Sequence, residues 1–562
     1  MGWAGPKTSQ TCLTPIHSRI SYCPASRATA SAGETVFVTY IAVPIMVRDS
    51  ESALATATKA GQSGADLVEY RVDRLADDHA AVVDLLNRSP LPCVLTCRSR
   101  SEGGEFDGTD AQRIGLIQQV AQATQLPAYI DVELDSYQRS AALRQAIDAL
   151  VTAPDRDQPR PELILSTHDF QSRPTDLLRR IETIAKVPSC RVLKVAWMAR
   201  SLRDNLEVFE IIQRRVKPTI ALCMGEFGLA SRVLARKFGA MLTFASLSNE
   251  GGTAPGQPTV SDLKQLYRWN TIDQNTRIFG VIGYPVAHSM SPPIHNAGFA
   301  ATGQNAIYLP MPIPPEYEHF KATVGCWLDE KSLDFSGASV TIPHKQNLLR
   351  FVAESGGTVE PLAQTIGAAN TLVRRANGEL FACNTDYSAA LDSVCDALNT
   401  TRPQLAGRRV AVIGAGGAAR AIVAGFAHCG ATVVVYNRTR AKADNLAHQF
   451  NVPPAKVIGA PLENLCDSCC EVVINCTPIG MHPHVDQTPM PNQSPLRPGT
   501  IVFDTIYNPV QTRLLTAAQQ AGCVTIPGTE MFVRQGAAQF QLWTGQPAPL
   551  DLFRRVLQQY LE

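Results

Sequence analysis

Val192-Leu193-Lys194-Val195-Ala196 is an apolar run broken once, by a lysine at its centre. Side chains alternate sides along a strand, so residues i and i+2 share a face. Leu193 and Val195 are suited to packing under helices, and Lys194 shares the opposite face with Val192 and Ala196. A lysine on an apolar strand is rarely buried without a task. The run therefore predicts a strand whose second face looks into a working interior.

Seven other short apolar runs flank it: Ala42–Val47, Leu67–Val72, Cys93–Cys97, Ala128–Leu134, Leu163–Thr167, Thr219–Cys223 and Met241–Ala245. They recur every 25 to 30 residues or so, separated by amphipathic stretches such as Asp110–Ala123 and Leu202–Val216. Eight such units between about residues 41 and 270 predict a (β/α)8 barrel, a TIM barrel. Alternation also pairs Glu69 with Arg71, Thr96 with Arg98 and Asp131 with Glu133, and His168 closes the fifth run. These groups gather at the C-terminal strand ends, where barrel enzymes place their chemistry. Glu69 and Arg71 alone read equally well as a structural ion pair, and His168 alone as a satisfied loop histidine. A lysine and a histidine ending adjacent strands among arginines are harder to read that way. Desolvation and nearby cations would favour the neutral, nucleophilic lysine, which attacks ketones.

The second half opens at a connector around Arg268–Thr276. Short strands and helices follow, with polar landmarks at His288-Ser289-Met290-Ser291-Pro292, Thr341-Ile342-Pro343-His344-Lys345, Asn370-Thr371 and Asn384-Thr385-Asp386. The apolar strand Arg409–Ile413 then runs into Gly414-Ala415-Gly416-Gly417-Ala418-Ala419 and an Ala-rich helix. This is the G-x-G-x-x-A dinucleotide fingerprint in its strand–turn–helix setting. Its glycines permit the tight turn and bring a pyrophosphate to the helix N-terminus, whose dipole favours anions. After the next strand, Thr432–Tyr436, an NAD site would carry a carboxylate. Asn437-Arg438-Thr439-Arg440 stands there instead and offers two guanidinium groups to a 2′-phosphate, so the cofactor expected is NADP.

Composition narrows the function classes. At 562 residues the chain exceeds one core and predicts two to four domains. A formal net charge of +1 supplies no nucleic-acid footprint, and no apolar run is long enough to span a bilayer. The 15 cysteines are scattered, as expected of reduced thiols in an intracellular protein. The one C-x-x-C, Cys466 and Cys469, lacks a second pair and reads as a loop rather than zinc ligands. His482 and His484 lack partners at ligand spacing, so no metal is expected. Residues 1–40 are rich in Ser, Thr, Pro and Ala, with no acidic residue before Glu34. They fit a transit peptide, a disordered extension or a start codon assigned too early. The expected compartment is the cytoplasm, or a plastid if this segment is a transit peptide.

Residues 41–270 resemble the type I 3-dehydroquinate dehydratases. The resemblance is carried by Glu69-Tyr70-Arg71, Arg98 with Glu102-Gly103-Gly104, Ser166-Thr167-His168-Asp169-Phe170, Lys194-Val195-Ala196, Met224-Gly225-Glu226 with Ser231-Arg232, and Ala254-Pro255-Gly256-Gln257. It implies that Lys194 forms an imine with the substrate ketone and that His168 moves the protons. It further implies that Arg232 and Gln257 hold the carboxylate, and that Glu69, Arg71 and Arg98 hold hydroxyls. Thr253 stands where the family usually has Ser; its hydroxyl survives.

Residues 277–562 resemble the shikimate dehydrogenases. Asn475-Cys476-Thr477-Pro478-Ile479-Gly480-Met481, Asp504–Pro509 and Gln535-Gly536-Ala537 extend the match. The resemblance implies an α/β substrate domain (277–390), a Rossmann NADP-binding domain (391–530) and C-terminal helices (531–562) that return to the substrate domain. It implies that Ser289 and Ser291 bind the carboxylate and that Thr341, Asn370, Asp386 and Gln535 bind ring hydroxyls. Tyr507 would support the carboxylate from the Rossmann side. Gly414–Ala418, Asn437–Arg440, Thr477, Met481 and Gly528 would hold the cofactor. Lys345 would protonate the carbonyl oxygen beside Asp386; His344 is the alternative acid.

Joined, the halves resemble the bifunctional dehydroquinate dehydratase–shikimate dehydrogenases, and imply two consecutive steps of aromatic amino acid biosynthesis. The expected partners are the small-molecule substrates, without nucleic acid or membrane, in a monomer or small homo-oligomer. A half that is inactive or serves the quinate branch ranks below, because Ser289, Ser291 and Thr341 match the shikimate pattern. A sensing repressor or scaffold on the same folds would be expected to lose Lys194, His168 or Lys345.

Overall fold

A computed structural model describes residues 28–29, 35–36, 38–152, 159–248, 254–467, 470–491 and 496–561. Most of the 1–40 extension, Thr253 and Cys469 lie outside the described residues.

The first half is the expected barrel. Its strands are β1 (Tyr40–Met46), β2 (Leu67–Arg71), β3 (Cys93–Thr96), β4 (Tyr129–Glu133), β5 (Glu162–Asp169), β6 (Cys190–Met198), β7 (Thr219–Met224) and β8 (Leu242–Phe244). All are parallel, in the order β8-β1-β2-β3-β4-β5-β6-β7. Across the remaining seam the Met241 N–H donates to the Thr219 carbonyl at 3 Å or less (2.9 Å). Alternation sorts the strand residues into two cores. Leu193, Val195 and Trp197 join the layer beneath the helices. Val192 and Ala196 join an interior cluster with Leu67, Val94, Ile164, Ile220, Met224 and Phe244. Lys194 has the parity of the second set and points inward.

The predicted helices occur, with trimmed ends. The Asp110–Ala123 stretch is helical over Asp110–Val120, started by a reciprocal Thr109/Gln112 capping box. The Leu202–Val216 stretch is helical over Asp204–Gln213. The connector packs rather than dangles. Tyr267, Trp269 and Ile272 are buried in one apolar cluster with barrel and second-half residues. The Lys237 ammonium donates to the Gln274 and Thr276 carbonyls at 2.7 and 2.9 Å.

Two six-stranded sheets follow. The first contains β9 (Arg277–Gly283), β10 (Ala306–Pro312), β11 (Phe335–Val340), β12 (Thr358–Val359), β13 (Thr371–Arg374) and β14 (Leu380–Cys383). Its order is β10-β9-β11-β13-β14-β12, and β13 runs antiparallel to both neighbours. The second contains β15 (Arg409–Ile413), β16 (Thr432–Asn437), β17 (Lys456–Pro461), β18 (Val472–Asn475), β19 (Ile501–Asp504) and β20 (Val524–Ile526). It is wholly parallel, in the doubly wound order β17-β16-β15-β18-β19-β20. The long helix Gly528–Thr544 leaves this sheet and crosses back to the first, where the Trp543 indole N–H donates to the Leu372 carbonyl on β13 at 2.9 Å. Among the described residues no helix is long and apolar enough to cross a membrane.

Candidate active sites

The barrel pocket is lined by Glu69, Arg71, Arg98, Glu102, His168, Phe170, Lys194, Arg232 and Gln257, with Ala196, Leu222, Met224 and Phe244 as its apolar wall. Register explains the gathering. Ser166 pairs with Lys194 and His168 with Ala196 across β5 and β6, so lysine and histidine open into one space from adjacent strands.

The surroundings of Lys194 correct one expectation. Its ammonium contacts carboxylates, not cations: Asp131 at 2.7 Å and Glu69 at 3.3 Å, with the Phe244 ring face 4.6 Å away. The cations stand one layer out. Arg98 pairs with Asp131 at 2.8 Å and donates to Ser166 at 2.8 Å; Arg71 is held by Asp73 at 2.7 Å. Burial alone would raise Asp131, but Arg98 and Lys194 outweigh it and hold the carboxylate well below its usual range. The reason for the difference is the inward face of β4, which lies one strand away from the lysine strand and brings Asp131 to Lys194 past β5.

Glu102 completes the centre from the loop after β3. Its carboxylate accepts from the His168 backbone N–H at 2.9 Å and lies 2.9 Å from His168 Nδ1. Burial pushes Glu102 up to about 7 against the pull of Arg98. Burial, with Arg98 and Lys194 nearby, pushes His168 well below the usual histidine range, so its imidazole is neutral near pH 7. Sequence reasoning gave Glu102 and Asp131 no roles. The shared face of Asp131 and Glu133 was the available signal.

Arg232 is 1 % exposed, and none of its three guanidinium nitrogens has a hydrogen-bond partner among the described residues. Burial lowers it to about 10, so it stays a cation at neutral pH. A buried, unpaired guanidinium opening on a pocket is a strong site for a carboxylate.

The second centre is a cleft between the two sheets. It is lined by Ser289, Ser291, Thr341, Lys345, Asn370 and Asp386 on one side, and by Ala418, Tyr507, Gly528, Met531, Phe532 and Gln535 on the other. Lys345, the first residue of helix Lys345–Glu354, donates to Asp386 at 2.6 Å. Asn370 donates to the other Asp386 oxygen at 2.9 Å. His344 does not compete with Lys345. It is fully buried; Nε2 lies 2.8 Å from the Ile313 carbonyl, and Nδ1 lies 2.9 Å from the Asn347 amide. The carbonyl can only accept, so Nε2 carries the proton and Nδ1 accepts from Asn347. Neither nitrogen is left for the cleft.

The glycine turn fits a dinucleotide. Gly414 has φ +112°, and a Cβ there would lie 3.1 Å from Thr477, whose hydroxyl is fixed on Asn475 at 2.7 Å. A Cβ on Gly416 or Gly417 would meet nothing within 4 Å, so the N-terminus of helix Gly417–His428 is open to a phosphate. At Gly528 a Cβ would come within 2.3 Å of the Ile506 carbonyl, so only glycine lets this helix begin against the chain. Asn437 braces the turn after β16 by donating to the Thr439 carbonyl at 2.9 Å. Arg438, Thr439 and Met481 are exposed. Arg440 is already paired, with Asp444 one helical turn on, at 2.8 Å.

A lysine–histidine barrel joined to a lysine–aspartate cleft beside a dinucleotide turn defines a two-centre enzyme, a lyase followed by an oxidoreductase. The type I 3-dehydroquinase family matches residues 41–274. The shikimate dehydrogenase substrate-binding domain matches 281–372, the shikimate/quinate 5-dehydrogenase family 397–504, and the shikimate 5′-dehydrogenase C-terminal domain 528–558. The chloroplastic bifunctional 3-dehydroquinate dehydratase/shikimate dehydrogenase of Arabidopsis thaliana is 35 % identical over 92 % of this chain and 84 % of its own length. The NADP(+) shikimate dehydrogenase of Methanosarcina mazei is 39 % identical over 51 % of this chain and 99 % of its own. A solved structure of the dehydroquinate dehydratase and shikimate dehydrogenase from S. pombe covers 93 % of this chain and 98 % of its own, at 26 % identity and a TM-score of 0.42. The chain belongs to the bifunctional 3-dehydroquinate dehydratase/shikimate dehydrogenase family.

Proposed function

We propose that the barrel dehydrates 3-dehydroquinate to 3-dehydroshikimate through an imine on Lys194, and that the cleft reduces this product to shikimate with NADPH and a proton from Lys345. In the barrel, Lys194 passes a proton to neutral His168 and attacks the ketone. His168 returns that proton to the carbinolamine hydroxyl, which leaves as water, and the protonated imine forms between Asp131 and Glu69, whose charges stabilise it. Neutral His168, oriented by Glu102, removes the α-proton, and the imine takes up the electron pair. The electrons return to expel the β-hydroxyl, which leaves as water with the proton His168 carries. Hydrolysis then frees the product and Lys194. Arg232 and Gln257 hold the carboxylate, while Arg71 and Arg98, with Glu69, orient the hydroxyls.

In the cleft, Ser289, Ser291 and Tyr507 take the carboxylate, and Thr341, Asn370, Asp386 and Gln535 the ring hydroxyls. Gly414–Ala418, Asn437–Arg440, Thr477, Met481 and Gly528 would hold NADPH, which when bound would supply the hydride. Lys345, aligned by Asp386, donates the proton that quenches the developing alkoxide. The Lys345–Asp386 contact carries the reductase reading, and the Lys194–Asp131 contact the dehydratase reading.

Adding 3-dehydroquinate to the pure protein with NADPH tests both centres at once. Oxidation of NADPH with shikimate as product is expected. Quinate as product would move the reductase to the quinate branch, and no oxidation would mean that one centre is silent. The chain is proposed to act as a monomer or small homo-oligomer, which sedimentation reads directly. Import of a reporter fused to residues 1–40 decides between plastid and cytoplasm.

A further inference from the structure

Beneath the reductase cleft a chain of hydrogen bonds links a residue of helix Gly528–Thr544 to the reacting lysine. Tyr308 on β10 donates to the Ser339 hydroxyl at 2.6 Å, and Ser339 donates to Gln539 Oε1 at 2.7 Å. Gln539 Nε2 donates to the Asn370 carbonyl at 3.2 Å and to the Thr371 hydroxyl at 3.0 Å. Thr371 donates to Asn370 Oδ1 at 2.8 Å. Asn370 Nδ2 donates to Asp386, whose other oxygen accepts from Lys345. Gln539 is 1 % exposed and Thr371 fully buried, so water cannot replace these links.

The direction of every link is forced. The Asn370 carbonyl can only accept, so the Gln539 amide nitrogen must face it and its oxygen must face Ser339. The Thr371 hydroxyl, already accepting from Gln539, has its one proton left for Asn370 Oδ1. That oxygen also accepts from the Thr385 backbone N–H at 2.8 Å, which turns Nδ2 toward the carboxylate. A flipped Asn370 amide would set oxygen against oxygen at Asp386.

We propose that Gln539 is a positioning residue for the reductase: acting through Thr371, it fixes the Asn370 amide, which holds Asp386 against Lys345. Gln539 lies four residues beyond Gln535 on helix Gly528–Thr544, so both face the cleft from one stripe. The same helix carries Gly528 at the cofactor side. It therefore ties the geometry of the proton donor to the element that spans both sheets. This inference rests on the roles proposed above for Asn370, Asp386 and Lys345.

The test is Gln539→Met, which keeps the volume and removes both hydrogen-bonding ends, in the full-length protein. The kcat for 3-dehydroshikimate reduction is expected to fall about tenfold or more, since misplacing a reacting group by about 1 Å costs about a hundredfold. The KM for NADPH and the dehydratase rate should stay as in the parent. Thr371→Val breaks the same chain one link on, and the double variant should be no worse than the poorer single. Gln539→Glu separates positioning from packing. A protonated carboxyl still accepts from Ser339 and keeps one of the two links that the amide nitrogen donates; an ionised one would face the Asn370 carbonyl. Its kcat relative to the parent should be highest at acidic pH and fall as pH rises. Of the nearby titratable groups, His295 is pushed down to about 3 by burial against a smaller upward pull from Gln539, and Tyr308 is raised by burial. A parent-like kcat in Gln539→Met, beside an inactive Lys345→Ala, would overturn the inference alone. So would additive losses in the double variant, or pH-independent kcat in Gln539→Glu. A fully active Lys345→Ala would instead bring down the proposed proton donor, and this inference with it.

Discussion

Glu102→Gln isolates the charge held against His168. The amide oxygen can still accept from the His168 backbone N–H and from Nδ1–H, so shape and hydrogen bonding survive. Only ionisation is lost. Burial raises the Glu102 carboxyl from 4.5 to about 7. A raised carboxyl means that the folded protein binds this proton more tightly than the unfolded chain does. The contribution to stability is present in full below about 4.5 and is lost as pH rises through about 7. The whole change is roughly 3 kcal/mol. The variant cannot ionise and escapes it. Its melting temperature should match the parent near pH 4.5 and exceed it near pH 8, by roughly 6–12 °C for a barrel of this size. Thermal denaturation of both full-length proteins across this range reads the gap. Catalysis should move the opposite way. Ionised Glu102 accepts Nδ1–H and leaves Nε2 as the base, so the parent's dehydratase kcat/KM falls as pH drops through about 7. The variant is expected to be slower and to lack this limb. A pH-independent melting gap, or a variant less stable than the parent at pH 8, would refute the buried, raised carboxyl.

Lys194→Ala should abolish dehydration and leave reduction of 3-dehydroshikimate near normal; borohydride trapping with substrate should label Lys194, and a label on Lys186 or Lys217 would end the assignment. Lys345→Ala should lower the reductase kcat by about 10²–10⁴-fold and spare the dehydratase; a change in KM alone would make Lys345 a binding residue. Arg438→Ala should weaken NADPH use roughly ten- to a hundredfold, the worth of a charge-assisted hydrogen bond, and barely affect NADH. Arg440→Ala should cost less, because Arg440 already shares its charge with Asp444. Equal losses with both cofactors would show that neither arginine reads the 2′-phosphate.

Period-two alternation was enough to aim Lys194, Glu69, Arg71 and Asp131 into the barrel, because a strand leaves each side chain only two directions. The glycine spacing after Arg409–Ile413 was enough for the dinucleotide turn, because few sequences allow a strand to turn so tightly into a helix. Both are local constraints, and local constraints are written in consecutive residues. The immediate partners are not. Lys194 meets Asp131 and Glu69 across 63 and 125 residues of chain, so the expected cations around it proved to be carboxylates. The Arg440–Asp444 pair could have been read from its i,i+4 spacing, but the engagement of both His344 nitrogens required Ile313, from another element. Gln539 reaches Asn370 across 169 residues. Alternation gives a side chain its direction; strand register and helix docking decide what it meets there, and these are set by packing of the whole chain.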